Sequence, residues 1–298
     1  MNVVDRPMFV GSLQETLFAI ASEPEAAGSL GVLLLPAGGY TFTPQRNRWA
    51  VSLAHRLASL GYPTVRFDWQ GIGDSTGSVD TFSLAHPAIL DARAALSILD
   101  TEGTILVGQC YGARTAMAMA DSVDRLAGVV LVSPPVRDFA RGEGTATKKA
   151  YELSMHGYLQ EGLKRVHPRM ITDRAELVRV ARLARAFGRA RWQRATARFR
   201  PPDPTPWVSA PFLRQLQFLA DTEVPTLLLY GSDENDFKEF TEAKAGRLGE
   251  VLDHASPTLE EVVVPGSAHA MDRVEIQAAV IEQVERWLDR RQIQTRRQ

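Results

Sequence analysis

The sequence predicts an α/β protein in which a mostly parallel central sheet is flanked by helices and interrupted by a helical insertion. Apolar strands and amphipathic helices alternate along most of the 298 residues. The strands are apolar throughout rather than on one face, which is typical of a parallel sheet covered on both sides. The alternation stops near Pro134–Pro135, so the insertion precedes the last two predicted strands.

Each element is predicted from its apolar pattern and from the turn residues that bound it. Two short, partly alternating segments at 6–12 and 14–22 predict a hairpin, and the apolar run at 30–36 predicts a buried strand. Further strands are predicted at 62–68, 104–108, 126–134, 224–231 and 259–266, and helices at 46–61, 86–100, 111–122, 237–253 and 274–290. Residues 1–136 and 213–298 therefore form the predicted core, and 137–212 form a helical cap without strands.

Composition favours an ordinary soluble globular protein, with 45% hydrophobic and 23% charged residues. No apolar run approaches the roughly 20 residues that span a bilayer, and the N-terminal residues lack the pattern of a signal peptide. A single cysteine rules out an internal disulfide and fits a reducing, cytoplasmic location. The net charge of -1 predicts no general attraction to nucleic acid.

Positive charge is concentrated in the predicted cap. Residues 137–200 contain 16 Lys and Arg against 6 Asp and Glu. In one interpretation, the arginines cover solvated helix faces. Alternatively, Arg185, Arg189 and Arg194 belong to a surface that attracts an anionic acyl donor, such as a CoA thioester or an acyl group on an acidic carrier protein. The sequence leaves both interpretations open.

The single cysteine lies in "ILVGQCYGARTAMAMA", between an apolar strand and a helix of small residues. Gly108 and Gly112 flank Cys110 at the spacing that lets strand and helix approach closely at a sharp turn. The N-terminus of the helix favours a thiolate over a thiol. The backbone N–H of Tyr111 would point at an oxyanion that develops during attack. We therefore interpret Cys110 as a nucleophile rather than as an inert buried thiol.

A histidine and a carboxylate follow in the order that such a nucleophile requires. His269 lies after the last predicted strand, in "VVVPGSAHAM", and is the predicted base. The carboxylate that would orient its ring follows the penultimate strand, in "TLLLYGSDEND". Spacing from the glycine that ends this strand favours Glu234, residue type favours Asp233, and Asp236 is the third candidate.

With these residues the sequence resembles the α/β-hydrolase superfamily, over nearly the whole chain and with a cysteine nucleophile. "FDWQGIGDSTG" matches the family's Asp-x-x-Gly-x-Gly-x-Ser loop, and "LLLPAGGYTF" stands where the family has its His-Gly oxyanion loop, here with Pro36-Ala37 in place of His-Gly. The resemblance implies that Gly39 or Tyr40 supplies the second N–H of the oxyanion hole. Within the superfamily the chain is similar to hydrolases associated with exosortase systems and, at the elbow, to dienelactone hydrolase.

The chemistry of sulfur narrows the expected substrates. Attack by a thiolate gives a thioester intermediate, which forms nearly isoenergetically from another thioester but uphill from an amide. We therefore expect a hydrolase of thioesters or esters that acts on a small-molecule acyl substrate. An acyltransferase or cyclase with an amine or alcohol acceptor, and a non-catalytic binding protein, are the alternatives. No nucleotide motif or metal-ligand spacing is present in the sequence, so no cofactor is expected.

Overall fold

The computed structural model describes residues 2–11, 16–38, 45–78, 82–138, 140–141, 203–255 and 258–296. Most of the predicted cap lies outside the described residues, including Arg185, Arg189 and Arg194. Gly39 and Tyr40 of the predicted oxyanion loop also lie outside them. The description that follows is of the described ranges.

Eight strands form one sheet, and the fold class predicted from the sequence is confirmed. These strands are β1 Val3–Gly11, β2 Thr16–Pro24, β3 Leu30–Leu35, β4 Thr64–Phe67, β6 Gly103–Gln109, β7 Leu126–Val132, β9 Thr226–Gly231 and β10 Leu259–Val264. Their order is β1-β2-β4-β3-β6-β7-β9-β10. Strand β2 is antiparallel to both neighbours, and every pair from β4 to β10 is parallel. The remaining two, β5 Phe82–Ser83 and β8 Ala140–Arg141, pair with each other outside this sheet.

Helices cover both faces of the sheet in two separate hydrophobic cores. The helices are α1 Trp49–Ser59, α2 Ile89–Leu96, α3 Tyr111–Met119, α4 Ala210–Asp221, α5 Asn235–Ala243, α6 Arg247–Ala255 and α7 Val274–Arg296. Helices α1 and α7 contribute to one core, and α2 to α6 contribute to the other. Consecutive strand residues alternate between the two cores, so that Leu227 packs on one face and Leu228 on the other. This arrangement explains why the central strands are apolar at every position.

The elements of the structure depart from the predicted ones in several places. The single helix expected at 237–253 is two helices, α5 and α6. Between them, a Cβ at Gly246 would lie 2.0 Å from Thr205 Oγ1, so this turn packs closely against a chain segment distant in sequence. Strand β8 lies inside 137–212, which was expected to contain no strand. Helix α4 spans residue 213, and the division into core and cap at that residue stays a prediction. Helix α4 begins at Ala210 because the Ser209 side chain accepts a hydrogen bond from the Phe212 N–H.

None of the helices in the described ranges combines the length and the apolar character needed to cross a membrane.

Candidate active site

Cys110 occupies a strained turn at the carboxyl edge of the sheet, directly after β6 and before α3. Its φ is 50° and its ψ is -109°, a conformation that costs a non-glycine residue about 1–3 kcal/mol. The turn is fixed on both sides. The Cys110 N–H donates to the Val132 carbonyl at 2.9 Å, and the Cys110 carbonyl accepts from the Arg114 N–H at 3.1 Å. This is the strand-to-helix corner that the sequence predicted.

The two glycines around Cys110 lie where no side chain fits. A Cβ at Gly108 would be 2.4 Å from the Gly112 carbonyl oxygen, and a Cβ at Gly112 would be 2.2 Å from the Leu35 carbonyl oxygen. Helix α3 therefore begins in direct backbone contact with β3 as well as with β6. The close approach sets the position of Cys110 relative to the sheet.

Replacing Gly112 by alanine tests this contact, because two effects would change the free energy of unfolding in opposite directions. Helix propensity alone would stabilise the protein by up to about 1 kcal/mol. Overlap with the Leu35 backbone would force α3 away from β3 and cost about 3 kcal/mol. We expect the second effect to dominate, so Gly112→Ala should lower the free energy of unfolding measured by urea denaturation. A stability equal to or above that of the wild type would show that the contact is not tight.

His269 is paired with Asp236 and interacts with Cys110. Its Nδ1 lies 2.5 Å from Asp236 Oδ2, and interaction with the Cys110 side chain is a further cause of its raised pKa. Because Nδ1 is engaged, Nε2 is the nitrogen left for the sulfur. The Asp236 hydrogen bond, followed by that of Cys110, raises the pKa of His269 to about 10. The imidazole is therefore charged at neutral pH, and its side chain remains 42% exposed to solvent.

The three candidate carboxylates have different partners. Asp236 lies in the first turn of α5 and is the one on the His269 ring. Glu234, which spacing favoured, instead accepts from the His269 backbone N–H at 2.8 Å and from Ser133 Oγ at 2.6 Å. Asp233 is exposed, and its carboxylate accepts from Ser232 Oγ at 2.7 Å. Spacing from the glycine at the end of β9 selects a position in the chain but not the direction of a side chain. Helix α5 begins directly after Glu234, and this start decides which carboxylate turns toward the ring.

Tyr111 is placed to offer its backbone N–H. It is the first residue of α3, so this N–H has no acceptor within the helix. Its side chain is buried, its hydroxyl accepts from the Ala88 N–H at 2.8 Å, and burial raises its pKa well above the usual value. A Cβ at Gly38 would lie 2.8 Å from the Tyr111 Cβ. The loop that leads to Gly39 and Tyr40 thus starts against Tyr111, and the oxyanion role of those two residues stays a prediction.

Arg114 on α3 was not singled out from the sequence, where its one signal is a charge within a helix of small residues. The side chain is 1% exposed. Its guanidinium donates to the carbonyls of Leu84 and Pro135 at 3.3 and 3.0 Å, to Asp138 Oδ1 at 2.8 Å and to Ser209 Oγ at 2.9 Å. Asp138 and Ser209 lie near the two ends of the predicted cap, so one buried cation ties both ends to the helix that follows Cys110.

The glycine-rich loop at 69–78 forms a hydrogen-bonded turn. Ser75 Oγ donates to the Asp68 carbonyl at 2.8 Å and accepts from the Phe18 N–H at 2.8 Å. The Asp74 N–H donates to Asp68 Oδ2 at 3.2 Å. These bonds satisfy backbone groups in the turn. Within the described ranges, no group of three or more His, Cys, Asp or Glu side chains could hold a metal ion.

Comparison with known proteins identifies relatives of this arrangement. The model of the alpha/beta hydrolase family matches residues 32–280.

Among solved structures, an esterase from Pyrococcus furiosus is similar with a TM-score of 0.57 at 16% identity, over 97% of this chain and 91% of that one. The thioesterase domain from the curacin biosynthetic pathway has a TM-score of 0.51 at 17% identity, over 94% and 99%. Proline iminopeptidase from Mycobacterium smegmatis has a TM-score of 0.50 at 16% identity, over 95% and 98%. No curated protein matches the sequence. Identities this low show a shared fold.

Proposed function

Because the chain belongs to the α/β-hydrolase family, we propose that it hydrolyses thioesters or esters of a small-molecule acyl group, with Cys110 as the nucleophile. One observation carries the proposal: the His269 ring is hydrogen-bonded to the Asp236 carboxylate and interacts with the Cys110 side chain. These groups meet at the carboxyl edge of a parallel sheet, where sheets of this type bind their ligands.

In the proposed acylation step, the sulfur of Cys110 attacks the acyl carbonyl carbon as a thiolate, and the proton is on His269. The carbonyl oxygen becomes an oxyanion, which receives hydrogen bonds from the Tyr111 N–H and from that of Gly39 or Tyr40. Each such donor contributes about 3 kcal/mol to lowering the barrier. The bond to the leaving group then breaks, His269 gives its proton to the departing sulfur or oxygen, and a thioester of Cys110 remains.

Deacylation uses the same groups in reverse. Neutral His269 takes a proton from water as the water oxygen attacks the thioester carbonyl. Collapse of the second oxyanion releases a carboxylic acid and restores the pair of Cys110 and His269. Asp236 keeps the ring in the tautomer that presents Nε2 to the sulfur and stabilises the imidazolium during both steps.

Two features support thioesters as the preferred substrates. Exchange of one thioester for another is nearly isoenergetic, whereas an amide substrate would make acylation of a thiol uphill. The positive balance of residues 137–200 would attract an anionic donor such as a CoA or carrier-protein thioester. We place these residues, as part of a cap over 137–212, beside the acyl group. The attachment of Asp138 and Ser209 to Arg114 supports that placement.

A panel of acyl thioesters, activated esters and amides tests the proposal. We expect intact-mass measurement after rapid quenching to show a Cys110 adduct of the acyl mass with thioesters and activated esters but not with amides. Cys110→Ala should give no adduct, and His269→Ala should form and lose it more slowly. The absence of an adduct across the panel would contradict the proposal. Acylated amines or alcohols among the products would instead identify an acyltransferase with the same intermediate.

A further inference from the structure

We infer that Gln109 and Glu234 are positioning residues that hold the backbone of His269 from its two sides, an inference that rests on the proposed function of His269. The hydrogen bonds of both residues with His269 go to its backbone. Each is the near neighbour of a residue that interacts with the ring. Gln109 precedes Cys110, and Glu234 lies two residues before Asp236.

Glu234 holds the N–H side of His269. Its side chain is buried, at 5% exposure, and its Oε2 accepts from the His269 N–H at 2.8 Å. Its other oxygen, Oε1, accepts from Ser133 Oγ at 2.6 Å. Ser133 follows β7, is fully buried and has a φ of 46°. The carboxylate therefore connects the backbone of His269 to the end of a central strand.

Gln109 holds the carbonyl side. It is the last residue of β6, it is 3% exposed, and its Nε2 donates to the carbonyls of His269 at 3.0 Å and of Ala268 at 3.2 Å. The nucleophile and the base are thus joined twice, through the sulfur and through this amide. A displacement of the loop relative to β6 would have to break both connections.

The loop that bears His269 needs such support because its own conformation is strained. Met271, two residues after His269, has a φ of 47°, and backbone held in this region persists only where surrounding contacts fix it. The ring must also stay in line with both Cys110 and Asp236, since a displacement of about 1 Å can reduce turnover about 100-fold. Two side chains that fix the His269 peptide units meet this requirement.

The accepting role of Glu234 does not require a negative charge. A glutamine there can accept from the His269 N–H through its oxygen, while its amide donates to Ser133 Oγ, whose hydroxyl can rotate. Glu234→Gln should therefore preserve the contact, and Glu234→Leu should remove it. Gln109→Met keeps the length of the side chain but removes the N–H groups that donate to the Ala268 and His269 carbonyls.

Alkylation of Cys110 by iodoacetamide reports the position of His269 without a known substrate. Because the proposed function has His269 hold the sulfur in its reactive form, we expect His269→Ala to be alkylated about 10-fold more slowly than the wild type at pH 7. Gln109→Met and Glu234→Leu, which let the His269 backbone move, should be slowed at least about 3-fold, and Glu234→Gln should react at the wild-type rate.

Thr222→Val is the control for the loss of a buried donor. Thr222 is 6% exposed and donates to the carbonyls of Phe218 at 2.7 Å and Leu219 at 3.4 Å, so its replacement removes two bonds at the end of α4 without touching the loop that bears His269. All variants are compared as folded protein, verified by circular dichroism. If Gln109→Met and Glu234→Leu keep the wild-type alkylation rate, or if Thr222→Val is slowed as far as they are, the inference is overturned. If the wild type and His269→Ala are equal, the proposed function itself fails.

Discussion

Replacement of Cys110 by alanine is expected to reduce hydrolysis of the best thioester substrate by about 10⁴-fold or more. The methyl group cannot form a covalent intermediate, so only binding and the oxyanion donors remain to accelerate attack by water. The sulfur is the single thiol of the chain, and no second cysteine can replace it. Steady-state kinetics on purified protein, with circular dichroism to verify the fold, measures the loss.

Cys110→Ser is the informative companion to this variant. The hydroxyl occupies the place of the thiol, but His269 must now remove a proton that is far harder to release. We expect Cys110→Ser to retain measurable ester hydrolysis through an oxygen ester, well above the alanine variant. If Cys110→Ala keeps more than a tenth of wild-type turnover, Cys110 is not the nucleophile.

The parts of the molecule that the sequence predicted are those with local signals. Runs such as the one in β9 are apolar at each position because Leu227 and Leu228 face different cores, and this pattern identifies a parallel sheet without further information. Cys110 and His269 each lie in a short context that requires their backbone geometry. In the turn between α5 and α6, Thr205 from a distant part of the chain leaves no room for a side chain at Gly246, and this contact has no signal in the local sequence.

The contacts of the side chains around His269 could not be predicted from the sequence either. Gln109 meets the His269 carbonyl across 160 positions of sequence, and nothing near Gln109 in the sequence indicates that contact. Glu234 and Asp236 are two residues apart and chemically alike, so spacing and residue type cannot say which reaches the ring and which reaches the backbone. The direction of each side chain depends on the residue at which α5 begins, and that boundary is uncertain by a residue or two in any sequence-based prediction.

Asp236→Asn is the second prediction with a large expected effect. The amide can place its nitrogen or its oxygen against His269 Nδ1, and it carries no charge in either case. The hydrogen bond to Asp236 is the largest cause of the raised pKa of His269, so in the variant this pKa should fall from about 10 toward its ordinary value. We expect turnover to drop about 10³- to 10⁴-fold, because the imidazolium is no longer stabilised and the tautomer is no longer fixed.

The neighbouring carboxylates make this prediction specific to one residue. Asp233 is exposed, and its carboxylate accepts a hydrogen bond from Ser232 Oγ. Because surface substitutions of this kind generally have small effects, Asp233→Asn should change turnover less than about 2-fold. Glu234→Gln retains an acceptor for the His269 N–H and should lie near the wild type. A larger loss in Glu234→Gln than in Asp236→Asn would mean that Glu234 turns to the ring when substrate binds. The acid would then be the residue that spacing along the chain first favoured, and the contact with Asp236 would belong to the resting enzyme alone.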